Sequence, residues 1–136
     1  MGPIRRALSA MLMFALVGAG ATPAAAAGSP TWELRDIGQR MCVTSDFGHP
    51  GAYFLIPLYG DWSKTITTGM RNLPPGTRVV GSPTLPPGSH HEDYIIGGVH
   101  IAIAPAPVGV YRAEVWASDG EVTQAVPAVI NVKERC

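Results

Sequence analysis

The sequence predicts an all-β fold, an antiparallel two-layer sandwich of about seven to nine strands. Three observations predict it. Sixteen glycines and thirteen prolines in 136 residues cut the chain into short apolar pieces, and no stretch sustains the 3.6-residue period of a helix. Residues 110–117 alternate, with Tyr111, Ala113, Val115 and Ala117 on one face and Arg112, Glu114 and Trp116 on the other, as a half-buried strand requires. Ser118-Asp119-Gly120-Glu121 follows directly, and Asp-Gly is a strong signal for a tight hairpin.

In chain order, the first element is an export segment. Arg5 and Arg6 precede an apolar run over 7–21 and a small-residue stretch over 21–27, the arrangement of a secretory signal peptide. Cleavage is expected after Ala27, with Ala25 and Ala26 as alternatives. The product is a single secreted, extracellular domain spanning 28–136. The apolar run falls short of the ~20 residues that a membrane-spanning helix needs. A removable segment is therefore read rather than a retained anchor, with no membrane association after cleavage.

Strands are expected over 31–35, 39–44, 53–59, 64–68, 78–81, 94–96, 99–104, 111–117 and, with an interruption, 121–133. Pro57 and Pro127 fall within two of these. Each must sit at a bulge or where its missing N–H faces no partner. Leu73-Pro74-Pro75-Gly76 and Leu85-Pro86-Pro87-Gly88 are near-copies. Pro-Gly suits the centre of a type II turn, so two turns should flank a short edge strand. A two-residue turn at Asp119-Gly120 would set Ala117 opposite Val122, Ala113 opposite Val126 and Tyr111 opposite Ala128. Thr123 would then face Trp116, and only Gln124, opposite Val115, breaks the apolar pattern. Trp32 and Leu34 belong to the core.

The two cysteines, Cys42 and Cys136, both lie beyond the export segment. In an oxidising compartment an even pair reads as a disulfide; two free thiols or an intermolecular bridge are the alternatives. The bridge would join an early strand to the C-terminus.

In Pro107-Val108-Gly109-Val110-Tyr111 a glycine, one residue and a tyrosine enter an alternating strand. This resembles the tyrosine corner of immunoglobulin-like sandwiches, in which the hydroxyl ties back to nearby backbone. Ala113 stands where an antibody domain has its second cysteine, so the resemblance is to the sandwich in its broad, immunoglobulin-like sense. Gly60-Asp61-Trp62-Ser63, Leu73-Pro74-Pro75-Gly76, Ala117-Ser118-Asp119-Gly120 and Cys136 resemble a family of small secreted actinobacterial proteins of unknown function. That resemblance implies compartment and fold but carries no catalytic residues.

Beyond residue 27, eight lysines and arginines stand against ten acids. The domain is slightly acidic and has no basic stripe, so nucleic acid is not an expected partner. There is no G-x-S-x-G elbow and no cofactor motif. Asp61 and Glu114 are not placed by any spacing at a glycosidase separation. No enzymatic activity and no cofactor are expected. His90-His91-Glu92-Asp93 is the densest set of metal-ligating side chains, but consecutive strand residues point to opposite faces, and dedicated zinc sites space their ligands. His49 or His100 would have to complete a site, and a solvated loop is the simpler account.

Aromatic surface is the stronger lead. Trp116 shares the Arg112 and Glu114 face, Trp62 sits in a polar turn, and Tyr53 and Tyr59 fall on one side of their strand. Exposed aromatics flanked by polar groups stack on sugar rings or anchor protein partners. Alternatively, Trp116 covers a sheet edge and Trp62 plugs one end of the sandwich. The expected function is a secreted, monomeric, non-catalytic binding module for an extracellular glycan or protein, contacting it through Trp62, Arg112, Glu114 and Trp116. Two alternatives are an inhibitor of an extracellular hydrolase, built on the rigid Pro-rich turns, and a metal-binding protein using His90 and His91.

Overall fold

The computed structural model describes residues 28–136; the export segment expected over 1–27 lies outside the described residues. Nine strands follow one another: β1 (Trp32–Leu34), β2 (Gln39–Thr44), β3 (His49–Gly60), β4 (Ile66–Arg71), β5 (Arg78–Gly81), β6 (Thr84–Leu85), β7 (Tyr94–Ile103), β8 (Gly109–Ser118) and β9 (Thr123–Lys133). They form a four-stranded sheet, β1-β3-β7-β5, facing a five-stranded sheet, β2-β9-β8-β4-β6. The architecture is the all-β sandwich that the alternation predicts. One pairing departs from the antiparallel expectation: β2 runs parallel to β9. The chain leaves β1 in one layer, turns through residues 35–38 and joins the margin of the other layer beside its last strand.

Alternation builds the core. Ile56 and Leu58 from β3 and Val99 and Ile101 from β7 meet Val115, Ile130 and Val132 from the facing sheet, all nearly inaccessible to solvent. Trp32 and Leu34 join them. The expected strands over 94–96 and 99–104 are one strand, because Gly97 and Gly98 continue the ladder with β3. A side chain at Gly97 would fall 3.2 Å from the Pro83 ring, so glycine here makes room for the chain crossing between sheets.

Two glutamines join the layers. The Gln39 amide donates to the Leu55 carbonyl at 2.9 Å and accepts from the Leu55 N–H at 2.6 Å. The Gln124 amide treats β1 alike, donating to the Trp32 carbonyl and accepting from the Leu34 N–H, both at 2.9 Å. Each amide imitates a short piece of strand and satisfies backbone groups that no neighbouring strand reaches. Gln124 therefore points inward for a reason that hydrophobic patterning cannot show.

The β8–β9 hairpin forms, but its register differs from the expected one. Ser118 pairs with Thr123, Ala117 with Gln124, Trp116 with Ala125 and Tyr111 with Ile130. The loop holds four residues rather than two, because the Asp119 carboxylate accepts the N–H groups of Glu121 and Val122 at 2.9 and 2.8 Å. The ladder shifts by two residues as a result. A two-residue shift preserves the faces, so the expected inside and outside survive, and β9 runs without the expected interruption.

Asp119 also accepts the Trp32 indole N–H at 3.0 Å, tying the loop to β1. Hydrogen bonds from Val122, Trp32 and Glu121 lower its carboxyl from 3.8 to about 2. A folded-state value below the unfolded one means that the carboxylate's contribution is complete above about pH 4. It is lost as pH falls through about 2. Acid titration followed by circular dichroism should show wild-type stability declining in this window. Asp119→Asn should flatten that part of the profile, and an unchanged profile would exclude this carboxylate as the cause.

The Tyr111 hydroxyl donates to the Pro107 carbonyl at 2.8 Å, which is the corner the local sequence resembles. Both Pro-Pro-Gly segments close as turns, with Thr77 N–H to Pro74 O and Ser89 N–H to Pro86 O at 3.2 Å. Gly76 and Gly88 each have φ +76°, as the third position of a type II turn demands. The edge strand β5 lies between them. Pro127 pairs with Glu114 one residue before the β2 ladder starts at Ala128, so its missing N–H deprives β2 of nothing. Pro57 likewise lies just past the end of the β1 ladder at Leu58. Cys42 and Cys136 are joined as a disulfide across a sequence separation of 94, with Cα atoms 5.7 Å apart.

Candidate functional site

The outer face of the five-stranded sheet brings together three of the four side chains expected to make contact. Alternation along β8 sends Arg112, Glu114 and Trp116 outward, while Ala113, Val115 and Ala117 go into the core. Register supplies their neighbours. Arg40 on β2, Val129 on β9 and Arg112 on β8 form one row across three strands. Glu114 stands beside Pro127 and Arg71, and its carboxylate pairs with the Arg71 guanidinium. Trp116 stands beside Gly69, where an added Cβ would fall 2.5 Å from the indole. The glycine is the space into which the half-buried indole settles, a plate flush with the sheet.

Further along the same face runs an open groove of about 350 Å³, bounded by the start of β2 and by outward residues of β9 and β8 that include Arg112 but not Trp116. Val110, Val129 and Pro127 make its apolar floor, and Arg40 and Arg112 stand at its sides. Neither arginine forms an ion pair with a described residue. Asp36 lies at the rim, its carboxylate held by the Gly38 N–H at 2.8 Å.

Trp62 is not on this face. It is 5% exposed, and its indole N–H is shared between the carbonyls of Leu85 and Pro86 at 3.1 and 3.0 Å. It closes one end of the sandwich, which is the alternative the sequence offered for this residue, and it does not present an exposed ring in the Gly60–Ser63 turn as the contact reading expects. The His90 ring packs on it, with centroids 4.7 Å apart, and His90 Nε2 meets Asp61 Oδ1 at 2.9 Å. His90 is thus held against the protein while His91 is exposed. His49 and His100 sit on β3 and β7 as a pair of positions no ladder joins, His49 facing Ile103 and His100 facing Tyr53. Among the described residues no three His, Cys, Asp or Glu side chains gather to hold a metal ion.

The opposite outer face holds a surface that sequence reasoning saw only in part. Tyr53, Ile96 and Tyr94 are 56%, 53% and 41% exposed. Tyr59 stacks on Tyr94 with centroids 5.6 Å apart, and the Arg35 guanidinium lies over the Tyr59 ring, 3.6 Å from its centroid. Tyr53 leans on His100 at 5.7 Å. The shared side of Tyr53 and Tyr59 is visible in the sequence. Tyr94 and Ile96 emerge only once Gly97 and Gly98 are seen to continue one long strand.

Residues 33–134, from β1 to just past β9, match the model of a family of unknown function, DUF5980. The chain belongs to this family. Both outer faces and the groove therefore lie within the DUF5980 domain. No curated protein matches the sequence. Among solved structures, the DUF5980 domain is similar to an ASH/PapD-like domain of human CEP192, PapD-like domain 7, at 12% sequence identity. The similarity covers 86% of this chain and 97% of that one, with a TM-score of 0.45.

Proposed function

We propose that this chain is a secreted, non-catalytic interaction module whose contact surface is the outer face of the five-stranded sheet. The observation that carries the reading is the groove itself: two guanidinium groups with no ion-pair partner among the described residues flank an apolar floor, on the face that also carries a half-exposed tryptophan. Charges without internal partners and half-covered apolar surface are what a partner's approach would complete. Secretion is supported by the export-type N-terminus and by a disulfide that persists in oxidising compartments. Among the described residues no helix is long and apolar enough to cross a membrane.

The test is a binding screen of purified protein against extracellular polysaccharides and secreted proteins, repeated with variants. Arg112→Ala and Trp116→Ala should each weaken the bound partner at least tenfold, while Tyr94→Ala on the opposite face leaves it unchanged. Binding that depends on Tyr94 and ignores Arg112 and Trp116 would move the contact surface to the four-stranded sheet.

A further inference from the structure

We infer that the groove on this face takes an extended acidic segment of a partner protein, its carboxylates at Arg40 and Arg112 and an apolar side chain on the floor between them. The inference rests on the reading that this face is the contact surface, and it adds the chemistry of what is contacted.

Charge selects the sign. Arg71, the third arginine of the face, is neutralised by Glu114, whereas Arg40 and Arg112 have no such partner among the described residues. The single acid lining the groove, Asp36, accepts the Gly38 N–H of its own turn through one oxygen and is outnumbered by the two guanidinium groups. The groove therefore presents two cationic groups against one restrained carboxylate. A guanidinium is a planar fork of donors that fits a carboxylate at two points.

Geometry selects an extended ligand with repeated charge. Arg40 and Arg112 stand on strands separated by β9. Strands lie about 4.8 Å apart, so their α-carbons are roughly 10 Å apart. Alternate residues of an extended chain share a face at intervals of about 7 Å. Flexible arginine stems can then meet carboxylates four residues apart, with the residue midway between them on the same face. Val129 lies between the two arginines in the same row, where a side chain between the two acids would rest.

The floor selects a protein over a sugar. Val110 is 60% exposed, and with Val129 and Pro127 it offers aliphatic surface without an aromatic ring. Sugar rings are recognised by stacking on aromatic faces. Aliphatic surface gains most by covering another apolar side chain. Asn131, also in the lining, supplies an amide that can hydrogen-bond to a peptide backbone.

Fluorescence anisotropy with three labelled probes tests this: a peptide repeating Glu-Ser-Leu-Ser, which sets glutamate and leucine in turn along one face of an extended chain, the same peptide with glutamine for glutamate, and an oligogalacturonate. The glutamate peptide should bind at least tenfold tighter than the glutamine peptide and weaken as salt rises. The Arg40→Gln/Arg112→Gln double variant should lose that preference, and Val129→Ser should weaken both peptides, which share the leucines, but not the oligogalacturonate. Circular dichroism would verify that these surface variants fold. Equal binding of the two peptides, or a preference that survives the double variant, overturns the inference. Tighter binding of oligogalacturonate replaces the peptide with an acidic glycan. A neutral or basic partner whose binding depends on Trp116 would refute the acidic ligand yet leave the contact surface standing. Loss of dependence on every residue of the face would refute both.

Discussion

Replacing Cys42 and Cys136 together by serine is expected to lower stability by about 4–5 kcal/mol, the entropy released when a loop of nearly a hundred residues is no longer closed in the unfolded chain. The bridge spans a sequence separation of 94, close to the whole described domain. A loss of that size approaches the lower end of total stability for a domain of this kind. At about 4–8 °C per kcal/mol, the melting temperature should fall by roughly 20 °C or more. The cause lies in the topology: β2 is a sheet-margin strand paired only with β9, and Cys136 lies past the end of β9. Without the bridge, both β2 and the C-terminal residues rely on a single ladder. Thermal and urea unfolding of the double variant beside the wild type would measure the loss. A change below about 1 kcal/mol would mean that the unfolded chain gains little freedom, contrary to the loop-closure account.

Trp62→Ala should cost about 3–5 kcal/mol, the range for truncating a large buried aromatic. The indole fills the end of the sandwich beside Leu85 and His90, and its N–H serves two carbonyls. Trp62→Phe keeps most of the ring but leaves those carbonyls without their donor, and should cost about 1–2 kcal/mol. The graded pair distinguishes a structural plug from a contact residue. If Trp62→Ala melts like the wild type while binding is lost, the indole is a contact group after all.

Much of the fold is legible in residue pattern because the determining physics is local. Period-two alternation in 110–117, the two Pro-Pro-Gly turns and the corner at Tyr111 each follow from neighbours within a few positions. β2 and β5 have the bounds expected of them. What escapes is decided by contacts far apart in sequence. Asp119 lengthens its own loop by capping two N–H groups, and dipeptide preference does not reveal that. Alternation is the same for a strand of either direction, so the parallel pairing of β2 with β9 leaves no mark. The groove depends on that pairing, because Arg40 reaches Val129 and Arg112 only through it. Arg112, Glu114 and Trp116 were readable as one face, while Arg40 was not. Trp62 sits in a polar turn with no periodicity, and its burial comes from backbone 23 and 24 residues away.

The amides of Gln39 and Gln124 constrain how the two layers lie on each other. A core of branched aliphatic side chains has little directional preference, and one sheet could slide over the other by a residue pair at modest cost. A side-chain amide gripping both the donor and the acceptor of a backbone segment tolerates no such displacement, and here the four-stranded sheet is gripped at two places, Leu55 and the Trp32–Leu34 segment, by glutamines of the facing sheet. The pair acts as alignment pins. They fix where Arg40, seated one residue after Gln39, stands relative to the rest of its face, so the spacing of the groove's charges is inherited from the interior.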